Sequence, residues 1–186
     1  FGANDFGEVA DGSFVSTNIP TPVAGLSGVK HIAGGTAHFC AALTGGQVVC
    51  WGSNDNRQLG DNTTVNRPYP VLVSGLSNVV RVSAGRDHSC AQRDDGTVRC
   101  WGAGADGQLG NGGTSLSGVP VVASGLNSVS AIAAGGDNSC ALRSVSIMPG
   151  SYNVSLYCWG FGGAGQNANG AYTDQLTPAH ASALTF

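Results

Sequence analysis

Charge is scarce in this chain of 186 residues: Asp, Glu, Lys and Arg together make up only 10 %. That leaves little sequence suited to long surface helices, whose outer faces are normally charged. No apolar run approaches the ~18 residues that a membrane span requires. Basic residues are not in surplus either; the net charge of -3 lacks the electrostatic footprint of a nucleic-acid binder. The opening "FGANDFGEVA" has no initiator methionine, no basic start and no apolar core, so it carries no signal-peptide pattern. It reads as a processed chain or as a piece of a longer one. Apolar content is an ordinary 41 %, which argues against disorder.

Glycine, by contrast, is abundant at 30 residues, and the chain repeats itself. Cys40, Cys90 and Cys140 are 50 residues apart, as are Gly35, Gly85 and Gly135. Leu26, Leu76 and Leu126 keep the same step, and so do Val29, Val79 and Val129. The register then slips by eight: Cys50 and Cys100 are followed by Cys158, and Trp51 and Trp101 by Trp159. A single eight-residue insertion within 143–157 accounts for the slip.

Inside each unit the signals are strands and turns. "VKHIAGG", "VVRVSAG" and "VSAIAAG" alternate around β-branched residues and stop at glycine. "HFCAAL" to "QVVCWG" reads as a hairpin around Thr44-Gly45-Gly46, and "HSCAQR" to "TVRCWG" as one around Asp94-Asp95-Gly96. A glycine-rich stretch follows, then a proline-led strand such as "PVLVSGL", where proline suits an edge position. Four short strands per ~50 residues is the period of a propeller blade. The expected fold is all-β, a β-propeller of four-stranded antiparallel blades.

The Cys-Trp-Gly steps, "GQLG" at 107–110 with "RQLG" at 57–60, the Gly-Leu pairs and "AGRDHSCA" resemble the regulator of chromosome condensation repeat family. The resemblance runs through nearly the whole chain. It implies a propeller, usually of seven blades, that serves as a rigid platform whose loops grip another protein. Family members include exchange factors for small GTPases, chromatin binders and a secreted bacterial inhibitor of β-lactamases. An acidic chain rich in paired cysteines fits the first two poorly.

Three complete blades are expected at 28–77, 78–127 and 128–186, the last with the eight-residue hairpin insertion. Residues 1–27 supply part of another, with Phe1-Gly2 in the Trp-Gly position and Pro20–Gly25 as its outer strand. Three blades and a remnant do not close a ring. The chain is therefore expected to be part of a larger propeller or to be completed by another copy.

Each cysteine pair flanks one hairpin. Facing positions on antiparallel strands lie within disulfide reach, so the pairing expected is Cys40–Cys50, Cys90–Cys100 and Cys140–Cys158. Nine residues between the early partners is too long for a short zinc-type spacing, and no Cys-x-x-Cys redox motif occurs. His38 and His88 precede cysteines, but the third unit has Asn138 there, which marks a hydrogen-bonding position rather than a ligand. Paired cysteines imply an oxidising compartment, hence a secreted or cell-surface protein. Asn62 and Asn153 head candidate N-glycosylation triplets.

No catalytic grouping emerges. Asp5, Asp55 and Asp106 lack the rest of a calcium loop, and Asx turns account for them. No cofactor, metal or enzymatic activity is expected. The expected function is a protein-binding module acting through its loops, with Met148, Tyr152 and Tyr157 of the insertion as candidate partner contacts. Self-assembly through open blade edges and carbohydrate binding are the alternatives; in the latter Trp51, Trp101 and Trp159 would stack on sugars, against their reading as blade-packing residues.

Overall fold

β-branched and small residues alternate along every unit, and each unit folds as one antiparallel sheet meandering outward. The computed structural model describes residues 1–181; residues 182–186, the end of the span expected for the last blade, lie outside the described residues. Blade 1 comprises β1 (Val29–Gly34), β2 (His38–Leu43), β3 (Val48–Gly52) and β4 (Arg67–Leu72). Blade 2 comprises β5 (Val79–Ala84), β6 (His88–Arg93), β7 (Val98–Gly102) and β8 (Ser117–Val122). Blade 3 comprises β9 (Val129–Ala134), β10 (Asn138–Met148), β11 (Ser151–Gly160) and β12 (Gln175–His180). Each sheet has its strands in chain order, as in a propeller blade.

Strand alternation gives every blade two unlike faces. Cys40, Ala42, Val48 and Cys50 point forward and pack with Val79, Val82, Ala91 and Trp101 of blade 2. Blade 2 repeats this toward blade 3, where Cys90, Val98 and Cys100 meet Val129, Ala141 and Trp159. Disulfides join Cys40–Cys50, Cys90–Cys100 and Cys140–Cys158, with Cα atoms 4.1 Å apart in each. All three pairs are register partners on neighbouring strands.

The Trp-Gly step marks a bulge. Register in β7–β8 shifts between Cys100 and Gly102, and the same shift recurs in the other two blades. Gly102 has φ of 104°, and a Cβ there would lie 2.6 Å from the Asp87 carbonyl oxygen. Only glycine fits such a site.

Two expectations are corrected. The prolines do not lead the outer strands but lie within them: Pro68 and Pro70 in β4, Pro120 in β8, Pro178 in β12. Each of these is an edge strand, so a missing N–H on the outer side breaks no ladder. Residues 20–25 form no strand. Residues 1–27 hold a single bridge, Gly2 to Thr17, which matches the Gly52–Arg67 and Gly102–Ser117 rungs and shifts the outer-strand position earlier. The neighbouring strand that would supply the other rungs is not among the described residues.

The insertion lengthens one hairpin. Strands β10 and β11 stay paired from Asn138–Gly160 out to Met148–Ser151, while β9 leaves the ladder at Arg143. The tip is thus a two-stranded ribbon standing clear of its blade.

Candidate interaction surface

The blades are bolted together by a polar joint that recurs once per interface. In blade 1 the tight turns of residues 53–60 aim the Gln58 main-chain carbonyl at blade 2. That oxygen accepts the Trp101 indole N–H at 2.8 Å and the Ser89 hydroxyl at 3.0 Å. The same oxygen on Gln108 accepts Trp159 at 2.9 Å and Ser139 at 3.1 Å. His38 Nε2 lies 2.9 Å from the Ser89 hydroxyl, and His88 Nε2 lies 2.8 Å from that of Ser139. Each serine has spent its proton on a carbonyl, so the imidazole donates through Nε2–H. The histidine and serine therefore form no activated nucleophile, since the proton would have to run the other way. All four side chains are buried.

Burial also fixes the charge of the joint. Desolvation lowers the pKa of His38 and of His88 to about 4, with the charge of His88 adding to the effect on His38. The Nδ1 atoms of both rings are buried without a partner. At neutral pH both rings are uncharged.

The joint ends at each side of the three-blade stack. On the first side Trp51 donates to the Glu8 carbonyl at 3.0 Å, but Phe39 stands where blades 2 and 3 have serine, stacked on Trp51 with centroids 5.8 Å apart. A groove of about 380 Å³ opens there, lined among others by Phe1, Val9, Val23, Ile32, Phe39 and Trp51. On the other side Asn138 replaces the histidine and turns back into its own blade, bonding the Phe161 carbonyl and Asn167.

One end of the blades gathers carboxylates. Burial raises the pKa of Asp87, helped by Asp137 and Asp55 against the opposing charge of Arg86. Asp106 is likewise raised by burial and by Asp137 and Asp174. Arg86 bridges to Asp137 of the next blade at 2.9 Å. Among the described residues no group of His, Cys, Asp or Glu is arranged to hold a metal ion.

The candidate contact residues separate. Met148 and Tyr152 are 65 % and 62 % exposed at the hairpin tip, beside exposed Ile147 and Val154. Tyr157 lies on the opposite face, packed into the core between blades 2 and 3, with its ring edge-on to His180 at 5.4 Å. Asn62 and Asn153 are both exposed. Trp51, Trp101 and Trp159 are at most 2 % exposed, so none offers a face to a sugar. The serine–carbonyl joint is the feature that sequence reading missed; its signal is the serine before Cys90 and Cys140, a position held by Phe39 in the first unit.

No helix among the described residues is long and apolar enough to cross a membrane. No curated protein matches the chain. Among solved structures, human WBSCR16 is 28 % identical, with a TM-score of 0.67 over 82 % of this chain and 39 % of that one. Prp20p from Saccharomyces cerevisiae, described with its binding properties to Gsp1p and histones, is 24 % identical, with a TM-score of 0.70 over 84 % and 39 %. Yeast RCC1 (Prp20) in a structure with Kap60 bound is 24 % identical, with a TM-score of 0.74 over 96 % and 42 %. The chain thus spans about two fifths of the length of these structures. The model of the Regulator of chromosome condensation (RCC1) repeat matches residues 1–42, 45–92 and 95–142, and a second model of that repeat matches 29–58 and 79–108. Each full match after the first begins in a β2–β3-type turn, so the sequence repeat joins the outer half of one blade to the inner half of the next. On these matches the chain belongs to the regulator of chromosome condensation (RCC1) repeat family.

Proposed function

We propose that this chain is a non-enzymatic module of a secreted or cell-surface β-propeller that binds another protein through its loops. The observation that carries the reading is the extended β10–β11 hairpin, which holds Ile147, Met148 and Tyr152 in solvent on a paired two-stranded ribbon. Tyrosine, with an apolar body and a polar tip, is enriched among the anchors of protein interfaces. The three disulfides support an oxidising compartment. Family membership supports protein binding as the general role, since Prp20p is described by its binding to Gsp1p and histones.

The test immobilises the full chain and, in parallel, a Met148→Ser/Tyr152→Ser variant, and exposes both to fluid from the native surroundings. A partner retained by the first at micromolar concentration or tighter, and at least ten-fold less by the second, is the expected result. Equal retention by both chains removes the hairpin from the interface. Retention by neither overturns the reading.

A further inference from the structure

The outer strands of the three blades share a feature that the lengthened hairpin lacks. β4 carries Pro68 and Pro70, β8 carries Pro120 and β12 carries Pro178. Proline on an exposed edge removes a donor and hinders another chain from pairing there. The β10–β11 ribbon, by contrast, is open on both edges. Its inner side ends with Ser144 N–H on the Ser128 carbonyl at 3.0 Å, and its outer side with Ala181 N–H on the Leu156 carbonyl at 2.9 Å. Among the described residues nothing pairs with either strand beyond those points. Pro149 lies at the tip and in neither strand, and no Asp, Glu, Lys or Arg occurs from 144 to 173. The stretch "SYNVSLY" at 151–157 has no proline, glycine or charge, the composition of strands that pair between chains.

Asn153 stands in the middle of this ribbon and heads the triplet Asn153-Val154-Ser155. Its register partner is Val145 and that of Ser155 is Arg143, so Asn153, Ser155 and Val145 share one face. Tyr152 and Val154 lie on the other face. Asn153 and Val145 are both exposed. The other triplet is placed differently. Asn62 has a φ of 61°, its N–H donates to the Gly118 carbonyl at 3.0 Å, and a Cβ on Gly118 would lie 2.9 Å from its Oδ1. Asn62 thus serves the seam between blades 1 and 2, while Asn153 stands on the ribbon clear of it.

We infer that Asn153 carries an N-linked oligosaccharide, whose bulk does for the ribbon edges what proline does for β4, β8 and β12. In the transfer, Asn153 Nδ2 attacks the anomeric carbon of an oligosaccharide held on a polyprenyl diphosphate. A C–N bond forms as the C–O bond to the diphosphate breaks. The diphosphate leaves, and the amide proton passes to a base of the transferring enzyme. The glycan covers the Val145 face and leaves Tyr152 and Val154 on the opposite face, and Met148 at the tip, to a partner. The inference rests on the secreted or cell-surface reading above, since this modification belongs to secreted chains.

The test directs the full chain through the secretory pathway of a eukaryotic cell and maps the product by mass. No Lys or Arg follows Arg143, so trypsin after reduction isolates the Asn153 triplet in residues 144–186. That peptide is expected to carry an oligosaccharide that peptide-N-glycosidase releases, leaving a carboxylate at position 153. Ser155→Ala keeps Asn153 but breaks the triplet. It is expected to lose the oligosaccharide and to self-associate, by light scattering, at severalfold lower concentration. Asn153→Asp, which places a charge at the ribbon centre without a glycan, is expected to restore the original threshold. A bare Asn153 in a chain whose three disulfides have formed overturns the inference and leaves the compartment reading standing. Cysteines that stay reduced overturn both. A threshold indifferent to Ser155→Ala, or one that Asn153→Asp does not restore, overturns the inference as well.

Discussion

The forward face of blade 2 and the forward face of blade 3 are built from the same strands in the same register, yet one is sealed and the other half open. Cys90 is 2 % exposed, while Cys140, with an identical disulfide partner position, is only half-buried. Among the described residues of blade 3 the strands and their register match those of blade 2, and the difference lies in what covers the face. Stability in a repeat protein is approximately a sum of the units' own stabilities and of the interface terms between neighbours, and the two internal interfaces hold most of the buried apolar residues. The two internal joints should therefore be where the molecule is vulnerable, and the open face where it is tolerant.

Acid should break that contrast most severely, because both internal joints contain a buried neutral histidine and the open face has none. The folded-state pKa of His38 and His88 is lowered to about 4 from an ordinary 6.5. Between those values the unfolded chain binds protons that the folded chain refuses. The stabilisation is thus complete above about pH 6.5, is lost as the pH falls toward 4, and changes no further below that. The loss is on the order of 3 kcal/mol for each histidine. Protonation would also place a donor on an Nδ1 that has no acceptor. Urea midpoints measured across this window should fall steeply. His38→Asn with His88→Asn, which copies the residue of blade 3, should flatten the profile while lowering the plateau.

Trp101→Ala attacks one joint alone. The indole is fully buried between blades 1 and 2 and holds the Gln58 carbonyl, so the substitution should cost about 3–5 kcal/mol. Leu156→Ala on the open face should cost less than about 1 kcal/mol, since water already reaches it. Chemical denaturation of the two variants side by side checks the comparison. Equal losses would mean that blade 3 is covered in solution.

Much of this architecture is legible in the residues. Period, strand alternation and hairpin turns locate the blades, and cysteines that keep their strand positions through an insertion of eight identify their own partners. Parity also assigns Tyr157: one residue from Cys158, it must point to the opposite face of the strand. The outer strands are less legible, because an edge position tolerates proline anywhere along it and proline then fails to mark a boundary. The joint is harder still. Its bonds run from His38 to Ser89 and from His88 to Ser139, both 51 residues apart, so they join successive units and leave no pattern inside any one of them.

A smaller effect sharpens the comparison at the outer rim, where one contact position is filled in three ways. Gly7 faces Pro68, Arg57 faces Gly118, and Gly107 faces Leu176. Gly7, Arg57 and Gly107 all adopt positive φ, at 90°, 62° and 82°. The side chain is thus carried by one partner or the other, and Arg57 can be bulky because Gly118 is bare. Where Gly107 stands, a Cβ would lie 2.8 Å from Leu176 Cα, a backbone atom that cannot swing aside. Gly107→Ala should therefore cost about 2 kcal/mol, from the left-handed backbone together with the clash. Arg57→Ala should change stability by no more than about 0.5 kcal/mol, because that site already holds a Cβ at positive φ. Urea midpoints of the two variants decide it. A harmless Gly107→Ala would mean that the loop of blade 2 is free to lift from β12, and that the rim contributes little to holding the blades in line.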